Sequence, residues 1–125
     1  MMKAATRYGF TNEAWEAALA QAREHLVELA RRRETTTYSG LCQAVSAIDL
    51  KPYSFAMMAF LNEVCSRADA ERGVMLASLV TRKDTGLPGE GYFAFAETLG
   101  RDAHDRRAFW EAEVERVYAA FACEE

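Results

Sequence analysis

The sequence has few of the residues that mark metal-binding, disulfide-bonded or membrane-spanning proteins. Its three cysteines, Cys42, Cys65 and Cys123, are odd in number and widely separated, so their spacing predicts neither a disulfide framework nor a CxxC metal site. The two histidines, His25 and His104, lie in distant parts of the chain, and we expect no metal and no cofactor. No apolar run approaches the ~18 residues of a membrane span, and the first residues show no signal-peptide pattern. We therefore expect a cytoplasmic protein that does not bind membranes.

A strong charge of one sign is also missing. The 15 basic and 19 acidic residues give a net charge of −4, which argues against a general nucleic-acid binder but leaves a local basic surface open. The excess of acid lies in the last third, where residues 86 to 125 carry four basic and nine acidic side chains. Two classes of partner therefore stay open, a nucleic acid for the body and a basic partner for the C-terminal third.

What the sequence does contain is helical periodicity. Apolar residues recur every three or four positions from Trp15 to Leu29 and again from Trp110 to Phe121. This spacing predicts long helices over about 12 to 33 and about 105 to 122. Because the chain has neither a linker nor an internal repeat, we expect a single domain over residues 1–125.

Two shorter helices are predicted between the long ones. Residues 35 to 40, TTTYSG, favour a short extended segment followed by a second helix that continues to Ile48. Ser54 is placed to cap a third helix that ends near Gly73. The face of this third helix predicted to be buried consists of Met57, Met58, Leu61, Val64, Cys65 and Ala68.

A small β-hairpin is predicted after the third helix. Residues 75 to 82 indicate a buried strand, residues 84 to 91 a glycine-rich turn, and residues 92 to 99 a strand that changes into a helix. This order of elements is that of a winged helix-turn-helix core with a long helix added at each end. We therefore predict an α+β fold, mostly α, with a winged helix-turn-helix-like core and a small β-hairpin.

Four short motifs carry a resemblance to known proteins. They are T-Y-x-x-L from Thr37, L-V-x-R-K from Leu79, P-G-x-G-Y-F from Pro88 and F-W from Phe109. Over about residues 31 to 118 the chain resembles a group of small uncharacterised bacterial proteins, and the resemblance implies a winged-helix-like core without implying an activity. The string T-Y-S before a short helix is also similar to the start of the winged-helix region of alkylguanine DNA alkyltransferases. Their catalytic Pro-Cys-His-Arg motif is absent here, so alkyl transfer is not implied.

Six basic residues form the candidate nucleic-acid-binding set. They fall at the end of the first helix, on the third helix and at the start of the glycine-rich turn. Several cationic contacts with phosphates supply salt-dependent affinity for nucleic acid. The leading prediction is therefore a non-enzymatic, winged-helix-like nucleic-acid-binding or regulatory module that uses Arg31, Arg32, Arg33, Arg67, Arg82 and Lys83.

The alternative prediction is a protein-binding module. Glu111, Glu113 and Glu115 make the last helix acidic, and an acidic surface attracts a basic partner. Such a module would be an immunity or antitoxin-like protein, or an accessory subunit of a bacterial defence system. If the terminal helices leave their aromatic residues partly uncovered, the uncovered surface would also support a homodimer.

Enzymatic chemistry has little support in the sequence. There is no GxSxG motif and no Cys-His pairing in the sequence, and we predict no catalytic residue. The glycine-rich turn has no lysine after its glycines and contains Glu90, which disfavours nucleotide binding.

Overall fold

A computed structural model describes residues 6–122, so Cys123 lies outside the described part of the chain. It begins with a hairpin that the sequence analysis did not predict, in which β1 (Thr6–Arg7) pairs antiparallel with β2 (Phe10–Thr11). Tyr8 and Gly9 form the turn with φ angles of 54° and 87°. Two successive positive φ angles are what a type I′ hairpin turn requires.

The two long terminal helices are confirmed. The first, α1 (Asn12–Arg32), begins where the Thr11 hydroxyl accepts a hydrogen bond from the N–H of Ala14 at 3.1 Å. The last, α5 (Arg106–Phe121), begins at Asp105, whose carboxylate caps it in the same way. Each helix buries its predicted stripe against the rest of the chain, except that Trp110 of α5 is only partly buried. The buried apolar residues of the two helices are Trp15, Ala18, Leu19, Ala22, Leu26, Val27, Leu29, Ala30, Val114, Val117, Tyr118 and Phe121.

The two middle helices also form, with one change in length. The second helix, α2 (Tyr38–Ala44), ends earlier than predicted because Val45 adopts an extended conformation. The third, α3 (Phe55–Arg72), begins at the predicted cap, where the Ser54 hydroxyl accepts the Met57 N–H at 3.0 Å. It ends at Gly73 in the left-handed conformation.

The strand predicted over residues 75 to 82 is mostly absent. Leu76–Leu79 forms a 3₁₀ helix, and only β4 (Val80–Thr81) is extended. This strand pairs in parallel with β3 (Thr36–Thr37), the extended segment before α2. The apolar run over these residues reflects burial on all sides, which periodicity alone does not separate from a buried strand.

The hairpin predicted over residues 75 to 99 is therefore wrong. The returning arm is a helix, α4 (Glu90–Thr98), which begins directly after Gly89. It buries Tyr92, Phe93 and Ala96, a helical spacing that places all three on one face. Burial of that face outweighs the preference of tyrosine and phenylalanine for strands.

The predicted class is confirmed in its coarse form. Within residues 6–122 the fold is α+β and mostly α, with five α-helices and two pairs of two-residue strands. Most of the core lies between α1, α2, α3, α5 and the 3₁₀ helix, and a smaller apolar cluster lies under α4. Among the described residues, no helix combines the length and the apolar character that crossing a bilayer needs.

A buried carboxylate joins the ends of these elements. Glu113 of α5 is only 2% exposed and accepts hydrogen bonds from the Met75 N–H at 2.8 Å, Arg101 at 3.1 Å and Arg116 at 2.7 Å. Both arginines also donate to the Gly73 carbonyl, at 2.9 and 2.8 Å, and so place positive charge at the C-terminal end of α3. We call Glu113, Arg101 and Arg116 the Glu113 cluster. It connects α5 to the end of α3 and to the segment that follows α4.

We predict that Glu113→Gln lowers the free energy of unfolding by about 3 kcal/mol, because it leaves the Arg101 guanidinium without its buried counter-charge. Glu111→Gln on the exposed face of the same helix is the matched control and should change stability by less than about 0.5 kcal/mol. Urea denaturation of both variants measures the difference. Equal effects would contradict the role given to Glu113.

Candidate functional site

The six basic residues predicted to bind nucleic acid do not form one surface. Arg31 and Arg32 lie in the last turn of α1, whereas Arg67 contacts Glu16 near the start of that helix. At 1.5 Å per residue, these positions are about 22 Å apart along the helix. Arg82 lies elsewhere again, with its guanidinium over the ring of Tyr53 at 5.2 Å.

Carboxylates already engage the arginines. Arg31 and Arg32 bond to Glu28, and Arg33 bonds to Glu115 at 2.5 Å. Arg67 binds Glu16 at 2.7 Å and Glu63 at 2.6 Å, and Arg82 makes two hydrogen bonds to Asp84 at 3.0 and 3.1 Å. Of the six, Lys83 is the one cation with no carboxylate within 4.0 Å among the described residues. In the described part of the chain, each arginine has a carboxylate oxygen within 4.0 Å.

The three acidic residues predicted to bind a partner also do not form one exposed surface. Glu111 is exposed and lies 3.7 Å from Arg107, and Glu115 bonds to Arg33. Glu113 is buried in the Glu113 cluster, so its assignment to a partner surface is wrong. The sequence did contain a signal for this burial, because Glu113 lies three positions after Trp110 and four before Val117, on the inner stripe of the helix.

The strongest candidate site is a cleft that the sequence analysis did not identify. It lies between α3 and α4, encloses about 200 Å³ and is lined mainly by thioether, aromatic and glycine residues. Met57, Leu61 and Cys65 come from α3, Tyr92 and Phe95 from α4, and Tyr38 from α2. The complete lining is Tyr38, Tyr53, Met57, Met58, Leu61, Asn62, Cys65, Met75, Ala77, Arg82, Gly89, Glu90, Gly91, Tyr92 and Phe95.

Large apolar side chains stand exposed around the mouth of this cleft. Tyr53 is 58% exposed and Met58 is 49% exposed, and both line the cleft; Phe55, between them in sequence, is 84% exposed. We call Tyr53 and Met58, the two that line the cleft, the apolar rim. Met58 was predicted to be buried with Met57, but it lies toward the cleft because α4 covers less of α3 than a complete core layer would. No pattern of local spacing distinguishes the two methionines, since their exposure is set by the packing of α4.

Tyr53 and Arg82 form one side of the mouth. Tyr53 has a φ of 64°, an uncommon conformation for a residue other than glycine, and its ring lies 5.1 Å from that of Tyr38. The Arg82 guanidinium lies 5.2 Å from the centre of the Tyr53 ring, a distance typical of a cation–π contact. The hydrogen bond from Arg82 also lowers the pKa of Asp84, so this side of the mouth carries a matched charge pair.

The other side of the mouth is glycine backbone. The N–H of Gly89 donates to the Tyr38 hydroxyl at 2.8 Å, and a Cβ at Gly89 would lie 3.3 Å from that oxygen. A Cβ at Gly91 would lie 3.4 Å from the terminal methyl of Met58. Side chains at these two positions would therefore narrow the cleft.

No family model, curated protein or solved structure matches this chain. The cleft is therefore assigned on its own geometry.

The Cys65 thiol and the Tyr92 hydroxyl, at the floor of the cleft, both stay protonated at neutral pH. Burial raises the pKa of the Cys65 thiol to about 12, and burial also raises the pKa of Tyr92 well above its ordinary value. The Tyr92 hydroxyl shares a hydrogen bond with the buried Ser78 hydroxyl. Within the described residues, no group of three or more His, Cys, Asp or Glu side chains is placed to hold a metal ion. The floor of the cleft therefore carries no charge from Cys65 or Tyr92 at neutral pH.

A second cavity of about 250 Å³ lies between α1 and α3. Ion pairs from Arg67 to Glu16 at 2.7 Å and from Arg23 to Glu71 at 2.6 Å join the two helices at its edges. Its walls are thus occupied by contacts that connect α1 to α3, and its rim carries none of the exposed aromatic residues found at the first cleft.

We predict that Cys65 resists alkylation in the folded protein. With a pKa of about 12, the thiolate fraction at pH 8 is about 10⁻⁴, and burial excludes the reagent as well. Iodoacetamide treatment followed by peptide mass spectrometry should label Cys65 at least about 100-fold more slowly in the folded chain than in urea. Labelling at similar rates would show that the floor of the cleft is open and the thiol is reactive.

Proposed function

We propose that this protein is a non-enzymatic protein-recognition module whose cleft between α3 and α4 binds a large apolar side chain of a protein partner. The observation that carries the proposal is the apolar rim beside an apolar cavity. Exposed apolar residues are common singly, but a group of large ones around a cavity is typical of an interaction site.

The size of the cleft supports a single side chain as its occupant. Pockets for drug-sized ligands enclose about 300 to 1,000 Å³. The cleft encloses about 200 Å³, which suits one aromatic or long aliphatic side chain. Met57, Met58 and Met75 contribute flexible, polarisable thioethers, which adapt to an apolar occupant and make favourable contacts with aromatic rings.

The charges around the cleft also favour an uncharged occupant. Arg82 is paired with Asp84, and Glu90 is paired with Arg106 at 3.0 Å, so most of the charge at the mouth is already matched. A nucleic acid would have to displace such carboxylates to obtain phosphate contacts. The winged-helix-like nucleic-acid module predicted from the sequence therefore takes second place, with Lys83 as its best remaining contact.

This proposal keeps the predicted class of protein-binding module and changes its surface. The partner would meet the apolar rim rather than the acidic C-terminal third, because Glu113 is buried and Glu115 is paired. A toxin or a component of a defence system stays within the proposal as a partner, and so does a second copy of the chain.

We predict that Met58→Glu weakens partner binding at least about tenfold, because it places a charge at the mouth of an apolar cleft. The measurement is selection from a random-sequence peptide display library on the immobilised full chain, followed by titration of the enriched peptides. Enriched peptides should share a large apolar residue. Ala112→Glu, on the exposed face of α5, is the matched control and should leave binding unchanged.

Three results would contradict the proposal. One is a library that yields no binding peptide, and another is peptide binding that survives Met58→Glu. The third is salt-dependent binding of DNA or RNA at micromolar concentration that Met58→Glu does not affect, which would restore the nucleic-acid module.

A further inference from the structure

Exposed aromatic and thioether side chains are concentrated in one short segment beside the cleft. In the described part of the chain, the large apolar residues that stand exposed are Tyr8, Tyr53, Phe55 and Met58. Phe55 is the most exposed of them, at 84%, and unlike Tyr53 and Met58 it does not line the cleft. A phenylalanine exposed next to an apolar cavity indicates a surface that is covered in an assembly.

Phe55 and the mouth of the cleft lie on the same face of the molecule. Phe55 is the first residue of α3, and Met58 and Asn62, which line the cleft, follow it on that helix. Residues spaced by three and then four positions share one stripe of a helix, and one turn rises about 5 Å. Phe55 therefore protrudes about one turn away from a cavity of about 200 Å³, which suits one aromatic side chain.

A protrusion and a cavity on one face are complementary to a second copy of that face. A two-fold axis that runs midway between them, in the plane of contact, places the protrusion of each copy over the cavity of the other. Both insertions then form at once, and the assembly closes at two copies.

The charges at the mouth are compatible with such self-pairing. A two-fold interface brings a surface against itself, so an excess of one sign would repel the second copy. The two charged residues that line the cleft, Arg82 and Glu90, have opposite signs and are paired with Asp84 and Arg106. The mouth is therefore close to neutral, and it neither repels a copy of itself nor attracts a strongly charged partner.

We propose that the occupant of the cleft is Phe55 of a second copy of this chain, inserted reciprocally in a two-fold symmetric dimer. This inference rests on the proposed function and names the partner. An aromatic side chain buries about 150 to 250 Å² and the cleft walls lose a similar area, so two insertions bury on the order of 600 Å². Stable specific interfaces bury about 1,200 to 2,000 Å². We therefore expect a weak dimer that dissociates on dilution.

Sedimentation equilibrium of the full chain, from about 1 to about 500 µM, measures the dimer affinity. Phe55→Ala should weaken the dimer at least about tenfold, because the ring is lost from both insertions. Met58→Glu should weaken it similarly by placing a charge at the mouth of each cleft. Tyr8→Ala is the matched control: it removes a 59% exposed aromatic side chain that does not line the cleft, and it should leave the affinity unchanged.

A mixture of two variants tests whether the insertion is reciprocal. Phe55→Ala keeps the cleft and lacks the ring, whereas Gly91→Leu keeps the ring and narrows the cleft from α4. Neither variant forms an insertion with itself, but the mixed pair forms one of the two. The mixed dimer should therefore be at least about fivefold tighter than either variant's own dimer. In ¹⁵N–¹H NMR spectra of labelled Phe55→Ala, the Gly89 and Gly91 amide signals should shift when unlabelled Gly91→Leu is added.

The outcomes separate this inference from the proposed function. A chain that stays monomeric throughout, a dimer that survives Phe55→Ala, or a mixture no tighter than its components would overturn reciprocal insertion. If display peptides still bind Phe55→Ala in those cases, the proposed function stands without the dimer, and if they do not bind, both fail. Where the dimer and the peptides both bind, the peptides should dissociate the dimer, because they occupy the same cleft. Peptide binding that leaves the dimer intact would contradict the inference.

Discussion

Burial of the Glu113 carboxylate is the constraint on which the arrangement of the last three helices depends. A carboxylate that is 2% exposed is costly unless charged donors surround it, and Arg101, Arg116 and the Met75 N–H supply them. Arg101 also bonds to Asp69 at 2.6 Å, so the same guanidinium joins α3 to α5. The position of the chain after α4 follows from this requirement, because Arg101 comes three residues after the last residue of that helix.

The cleft is a consequence of the same arrangement. The Arg101 N–H bonds to the Ala96 carbonyl, which ties the end of α4 to the Glu113 cluster. From α5, the Trp110 indole donates to the Ser78 carbonyl at 2.8 Å, and the Ser78 hydroxyl in turn contacts Tyr92 of α4. With α4 held at both ends, its first turn stays apart from α3 and leaves the cavity at whose mouth Tyr53 and Met58 lie. The cleft is thus the gap between α3 and α4, and the contacts of α4 with α5 and with the Ser78 segment set the separation of the two helices.

Part of the fold was predictable from the sequence, because some helices are determined by interactions between residues close in sequence. The stripe through Trp15 and the hydroxyls of Thr11 and Ser54 predict helices because periodicity and capping act within a few residues. Tyr92 and Phe93 were misassigned because their strand preference competes with burial against α3, a tertiary effect. The pairing of Arg67 with Glu16 spans 51 positions, and the exposure of Met58 depends on α4, so neither follows from spacing. Contacts between residues distant in sequence therefore determine that the predicted basic residues lie apart and that a cleft forms between α3 and α4.

A double-mutant cycle between Glu113 and Arg101 tests the central claim most directly. The free energies of unfolding of Glu113→Gln, Arg101→Met, the double variant and the parent chain give the coupling between the two side chains. If the buried pair organises the ends of α3, α4 and α5, the coupling should be at least about 1.5 kcal/mol. Effects that add to within about 0.5 kcal/mol would contradict it, because the two groups would then stabilise the fold independently.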